Sequence, residues 1–156
     1  MSSETIEHLR ARHANSRIEA VFAGLTYQHK KSDADKYLTV AQSAPFHVRQ
    51  SGLLQWAAFC RSKSKDTCMP WRVLDDAMRW IKECPTTSRF CAVGPGRIDI
   101  PDGDHFPNPI SSLLQRDSRE IAVLEAEAIA YLGWLKRLAD GRWNALPETE
   151  PNNGTH

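Results

Sequence analysis

Ala44-Pro45-Phe46-His47-Val48-Arg49-Gln50-Ser51-Gly52-Leu53-Leu54-Gln55-Trp56-Ala57-Ala58-Phe59-Cys60-Arg61-Ser62-Lys63 is the stretch whose reading decides the fold. Val48, Gly52, Gln55 and Phe59, flanked by Leu53, Trp56 and Cys60, recur at steps of three and four, the repeat of one face of an α-helix. Pro45 suits the first helical position, where its fixed φ and missing N–H cost nothing, so the spacing predicts a helix from Pro45 to Lys63. Leu54, Ala57 and Ala58 make the opposite face apolar too, which predicts neighbours on more than one side. Gly52 then falls in mid-helix, at a cost of about 1 kcal/mol against Ala. A second helix packing against the bare backbone is the favoured compensation; a kink and an approach by nucleic acid are the other readings.

Upstream, Ser2 or Ser3 caps a first helix that carries Glu4 and Glu7 in its opening turns. Its stripe of Ala14, Ile18, Val21, Phe22 and Leu25 extends the helix to about Tyr27, with Arg10, His13 and Arg17 as a basic edge. Residues 28–32, containing Lys30 and Lys31, read as a turn. Asp33 caps a short second helix, which ends before Pro45 because the residue preceding proline is pushed out of the α region.

Downstream, Asp66 or Thr67 begins a helix with Trp71, Leu74, Ala77, Met78 and Ile81 inward and Asp75, Asp76, Arg79 and Lys82 outward. Asp75 and Arg79 at i, i+4 form a surface pair worth tenths of a kcal/mol. Pro85 stops this helix, and the Pro/Gly-rich run from Pro85 to Pro109 forms an irregular loop. Ile110 to Arg116 makes a helical turn or two. Asp117 or Ser118 caps the last long helix, with Ile121, Leu124, Ala128, Leu132, Leu135 and Ala139 as its core stripe and Gly141 as its C′ residue. No period-2 alternation is long enough for a sheet. The expectation is an all-α, compact single-domain bundle of about five or six helices over residues 1–146, with loop 85–109 before the last long helix and a disordered tail, 147–156.

Composition narrows the function. No run of about eighteen apolar residues exists, and the N-terminus is acidic and polar, so neither a membrane span nor a secretory signal is expected and the chain reads as cytoplasmic. Cys60, Cys68, Cys84 and Cys91 include no Cys-x-x-Cys pair, and the reading is buried thiols rather than zinc or disulfides. Asp99, Asp102 and Asp104 do not follow the calcium-loop spacing. No metal or cofactor is expected. The net charge of +1 hides an asymmetry: residues 1–65 hold ten Lys/Arg and five Asp/Glu, residues 66–156 ten and fourteen. A polyanion partner explains that split, and so does attraction between the halves within the fold. No phosphate loop, His-Glu-x-x-His pair or nucleophile elbow is present, which favours binding over catalysis.

The segment Ala44-Pro45, Val48, Gly52-Leu53-Leu54-Gln55, Ala58-Phe59, followed by Glu127-Ala128-Ile129, Leu132 and Trp134-Leu135-Lys136-Arg137-Leu138-Ala139, resembles the small subunit of the type III-B CRISPR Cmr effector complex. The pattern departs from it in the run from Pro85 to Pro109 and at Leu138. The resemblance implies a helical, non-catalytic subunit that stacks with neighbouring copies of itself beside the repeated backbone subunits and lines the channel of guide RNA and target RNA. Cationic side chains then neutralise phosphates while base pairing supplies the sequence information. The candidate RNA-binding residues are Arg17, Arg49, Arg61, Lys63, Lys136 and Arg137, with a buried acid as the competing partner for Arg49. The alternatives are a stand-alone helical interaction adaptor without RNA binding, a helix-turn-helix DNA binder, and a small enzyme using Cys60 or Cys68.

Overall fold

A computed structural model describes residues 4–23, 30–63, 69–90 and 110–145. The fold is all-α. Six α-helices and one short turn are present among these residues: α1 (Ile6–Ala23), α2 (Lys30–Ser51), α3 (Leu53–Ser62), α4 (Met69–Glu83), a 3-10 turn (Ser88–Phe90), α5 (Ile110–Leu114) and α6 (Ser118–Asn144). The expected capping of the first helix by Ser2 or Ser3, the expected ends near Tyr27 and at Asp66 or Thr67, most of the 85–109 loop, Cys68, Cys91 and the 147–156 tail lie outside the described residues.

The deciding stretch folds differently from its local pattern. Lys30 and Lys31 are helical, and α2 continues through Pro45 to Ser51. A proline inside a helix costs about 3 kcal/mol. Against that, Ala34, Tyr37, Leu38, Ala41, Ala44 and Val48 form one unbroken buried stripe on both sides of Pro45. Each larger side chain among them contributes about 1.5–3 kcal/mol on burial, so the stripe outweighs the proline. The break comes instead at Gly52, with φ 90° and ψ 160°, a combination nearly confined to glycine. Gly52 N–H closes α2 on the Val48 carbonyl at 2.8 Å, and Trp56 N–H opens α3 on the Gly52 carbonyl at 3.1 Å. Gly52 is therefore a corner between two helices, as the kink reading had it, and α6 also approaches it, since a Cβ there would lie 3.1 Å from Glu125 Oε1. Its N-cap position carries no side chain, and the Glu125 carboxylate of α6 accepts the Leu53 N–H at 2.9 Å instead.

α6 is the spine. Asp117 forms a capping box with Glu120, its side chain accepting the Glu120 N–H at 2.8 Å. The helix passes through Gly141 to Asn144, so Gly141 is an interior residue of the last turns rather than the C′ residue. Leu124, Ala128, Leu132, Leu135 and Ala139 are buried as the spacing predicts. α2 shares its largest interface with α6. The cross-contacts of Gln42 with Asp140 and of Leu53 with Glu125 show the two running antiparallel. α1 and α4 complete the bundle, also antiparallel, with Arg17 against Asp76 and His13 against Trp80.

Candidate functional site

The buried polar groups decide which charges are free. Asp76 on α4 is 1% exposed, not outward-facing. It accepts Arg17 Nε–H at 2.6 Å and the Tyr37 hydroxyl at 2.7 Å. Burial pushes the Asp76 carboxyl up, while Arg17 and Tyr37 pull it down. Burial likewise works against the Arg17 charge, but Asp76 holds that guanidinium above its ordinary value. Burial prevails over these two donors, leaving the Asp76 carboxyl above its ordinary value, and the short contact with Arg17 is a charge-assisted bond.

Two turns away on α1, Arg10 grips Glu127 of α6 with two hydrogen bonds, at 2.5 and 2.9 Å, and Trp80 donates its indole N–H to the same carboxylate at 2.9 Å. Burial opposes the Glu127 charge, yet the bonds from Arg10 and Trp80 prevail and hold its pKa below the usual carboxylate value. Between these pairs His13 is packed on Trp80 and Tyr131, its Nδ1 2.8 Å from the Tyr131 hydroxyl. Burial first, then the Arg17 and Arg79 charges, lower its pKa to about 4. The edge of Arg10, His13 and Arg17 expected at the surface is thus turned inward. Part of the charge asymmetry is internal, since Arg10 and Arg17 of the basic half meet Glu127 and Asp76 of the acidic half. Asp75 and Arg79 do form the expected i, i+4 pair, at 2.7 Å.

No group of three or more His, Cys, Asp and Glu among the described residues could hold a metal ion. Cys60 and Cys84 are buried and outside any disulfide. Burial pushes the Cys60 thiol up to about 12, which keeps it protonated and a poor nucleophile.

The remaining predicted cations divide into two places. Arg49, Lys136 and Arg137 converge on a groove of about 420 Å³ between α2 and α6. Pro45 and Arg49 form one wall, and Ala130, Gly133, Trp134, Lys136 and Arg137 the other, with Glu7 of α1 at one end. The antiparallel pairing of α2 and α6 brings residues 45–49 beside 130–137, over eighty positions apart in the chain. All three cations are exposed. The Gly52 corner is what frees Arg49. In a straight helix it shares a side with Trp56 and Cys60, whereas here it leaves the core and meets no buried acid among the described residues. Arg137 lies over the Trp134 ring, 5.7 Å from its centroid. The Trp134 indole N–H donates to Glu7, whose other oxygen accepts from Arg10 at 2.8 Å. Arg61 and Lys63 are exposed at the far end of α3, about 15 Å along the helix from Gly52. Lys63 sits over Phe59, 5.9 Å from the ring centroid.

Of the six candidates, three are thus brought together, two stand at a second place, and Arg17 is engaged by Asp76. Sequence reasoning missed Glu7, Gly133 and Trp134 as groove residues. A mid-helix glycine beside Trp134 and two cations was the available signal, and only the neighbouring helix gives it meaning. No described helix is long and apolar enough to cross a membrane. A family model described as CRISPR-associated protein (Cas_Cmr5) matches residues 6–142. No curated protein and no solved structure matches the chain.

Proposed function

The chain belongs to the CRISPR-associated Cas_Cmr5 family, the small subunits of the type III-B Cmr complex, and from that premise we propose that it acts as a non-catalytic, cytoplasmic RNA-contacting subunit in antiviral defence. It stacks beside the repeated backbone subunits and neighbouring copies of itself, and its basic groove neutralises phosphates of guide or target RNA. The observation that carries this reading is the convergence of Arg49, Lys136 and Arg137 on one exposed groove while Arg10 and Arg17 are neutralised inside. Three cations and one acid, itself already bonded to Trp134 and Arg10, leave an excess of positive charge there. Contacts of this kind carry no sequence information and suit an assembly in which base pairing specifies the target. Arg61 and Lys63 at the end of α3 supply a second, separate basic place. Phe46 and Leu114, 63% and 65% exposed, are apolar side chains suited to burial against neighbouring subunits.

The test is the triple variant Arg49→Glu, Lys136→Glu, Arg137→Glu in the reconstituted complex, titrated with target RNA over a salt series. Each lost contact with a single strand lowers the slope of log K against log salt by about 0.7, so the slope falls by about 2 and affinity drops at least about tenfold at low salt. An assembled variant complex with unchanged affinity and slope overturns the reading.

A further inference from the structure

Gly133 stands in the middle of α6, the longest helix, where glycine costs about 1 kcal/mol against Ala. Helical glycines of this kind are usually kept because a neighbouring element packs on the bare backbone. That reason is missing here: a Cβ built on Gly133 meets nothing within 4 Å. Gly52 is the contrast, since its φ is 90° and a Cβ there comes within 3.1 Å of Glu125 Oε1. Gly141 also has open space around it, but it lies in the last turn of α6, where helix propensity counts for less than in the middle. Neither fold geometry nor packing requires Gly133.

What surrounds Gly133 is the groove. The open space above its Cα is bordered by Pro45 and Arg49 across the groove and by Ala130, Trp134, Lys136 and Arg137 on its own helix. Ala130, one turn earlier, is the next smallest side chain of the lining, so the α6 backbone is least covered between Ala130 and Gly133, with Ile129 bordering that stretch. Trp134 is held by its bond to Glu7 and by the Arg137 guanidinium over its ring, which keeps the bulkiest neighbour fixed. A mid-helix glycine that costs stability and has nothing of its own chain to accommodate is suited to close approach of a ligand to the backbone.

We infer that Gly133 is a steric seat for the sugar-phosphate backbone of single-stranded RNA, which crosses α6 there with phosphates held between Arg49 on one side and Lys136 and Arg137 on the other. The inference rests on the RNA-contacting reading above and adds to it a shape requirement independent of charge. Charge complementarity selects the occupant: the groove offers three cations and a single acid already bonded within the protein.

Gly133→Ala and Gly133→Leu test it beside the triple charge variant, all in reconstituted complex, with thermal melting of each isolated subunit as the fold control. Both glycine substitutions raise helix propensity, so neither lowers the melting temperature. The expected result is a two- to threefold loss of RNA affinity for Gly133→Ala and at least a tenfold loss for Gly133→Leu, with the salt slope unchanged because every cation remains. If Gly133→Leu destabilises the subunit, Gly133→Ala carries the test alone. Wild-type affinity in the glycine variants beside weak binding by the charge variant removes the seat and leaves the charge reading standing. Wild-type affinity in all three removes both. Exclusion of Gly133→Leu from the complex assigns the groove to a protein neighbour and also overturns the inference.

Discussion

Arg10 and Arg17 on α1 and Arg49 and Arg137 on α2 and α6 are the same residue type at comparable helical positions, and they have opposite fates. The α1 arginines end inside the bundle, each on a buried carboxylate. The α2 and α6 arginines end on an open groove. The difference teaches that a cation beside an apolar stripe has no fixed role until its partner is known. On α1 the charge is engaged by a buried carboxylate, although a quarter of the Arg17 side chain remains exposed; in the groove it meets no buried acid and contributes little to stability.

Breaking the interior pair tests this most severely. Asp76→Ala leaves Arg17 and the Tyr37 hydroxyl without their acceptor, and stability falls by about 3–5 kcal/mol in denaturant titration. Replacing the whole set, Arg17→Met with Tyr37→Phe and Asp76→Leu, recovers most of that loss, because no uncompensated polar group remains. A loss below about 1 kcal/mol for Asp76→Ala erases the proposed contrast.

A smaller effect sharpens it through pH. The unfolded chain protonates His13 near 6.5 and the folded chain only near 4, so between those values the unfolded state binds the extra proton. The contribution is full above 6.5 and declines as the pH falls toward 4. Allowing for solvent screening, His13→Gln removes about 2 kcal/mol of that pH dependence. Taking the difference between the two proteins cancels Glu127, which acts in the same direction at lower pH, and Asp76, which acts oppositely. Parallel stability curves from pH 7 to 4.5 contradict the placement of His13 between Trp80 and Tyr131.

The smallest effect belongs to the groove. The isolated triple variant Arg49→Glu, Lys136→Glu, Arg137→Glu keeps its unfolding free energy within about 0.5 kcal/mol of the unaltered chain, since exposed charges without buried partners contribute little. A larger loss makes these residues structural and joins the two regions into one.

Much of the bundle was legible in the chain. The stripes of α1, α4 and α6 and the Asp117 cap are local patterns, and local patterns survive folding. The site was legible in part: Arg49, Lys136 and Arg137 were identifiable as cations, but their meeting was not. Pro45 and Gly52 mark the limit on the fold side. Each suggests a helix boundary or packing contact by propensity, and the buried stripe from Ala34 to Val48 overrode the proline while the Glu125 carboxylate matched the corner at the glycine.

The amino-acid order alone fixed the helical class and the apolar faces, because these depend on residues three and four positions apart. Tertiary structure alone decided where α2 turns into α3 and which cations stay free. Arg17 meets Asp76 across 59 positions and Arg10 meets Glu127 across 117, and at such separations a charge is assigned by the packing of helices rather than by its neighbours in the chain.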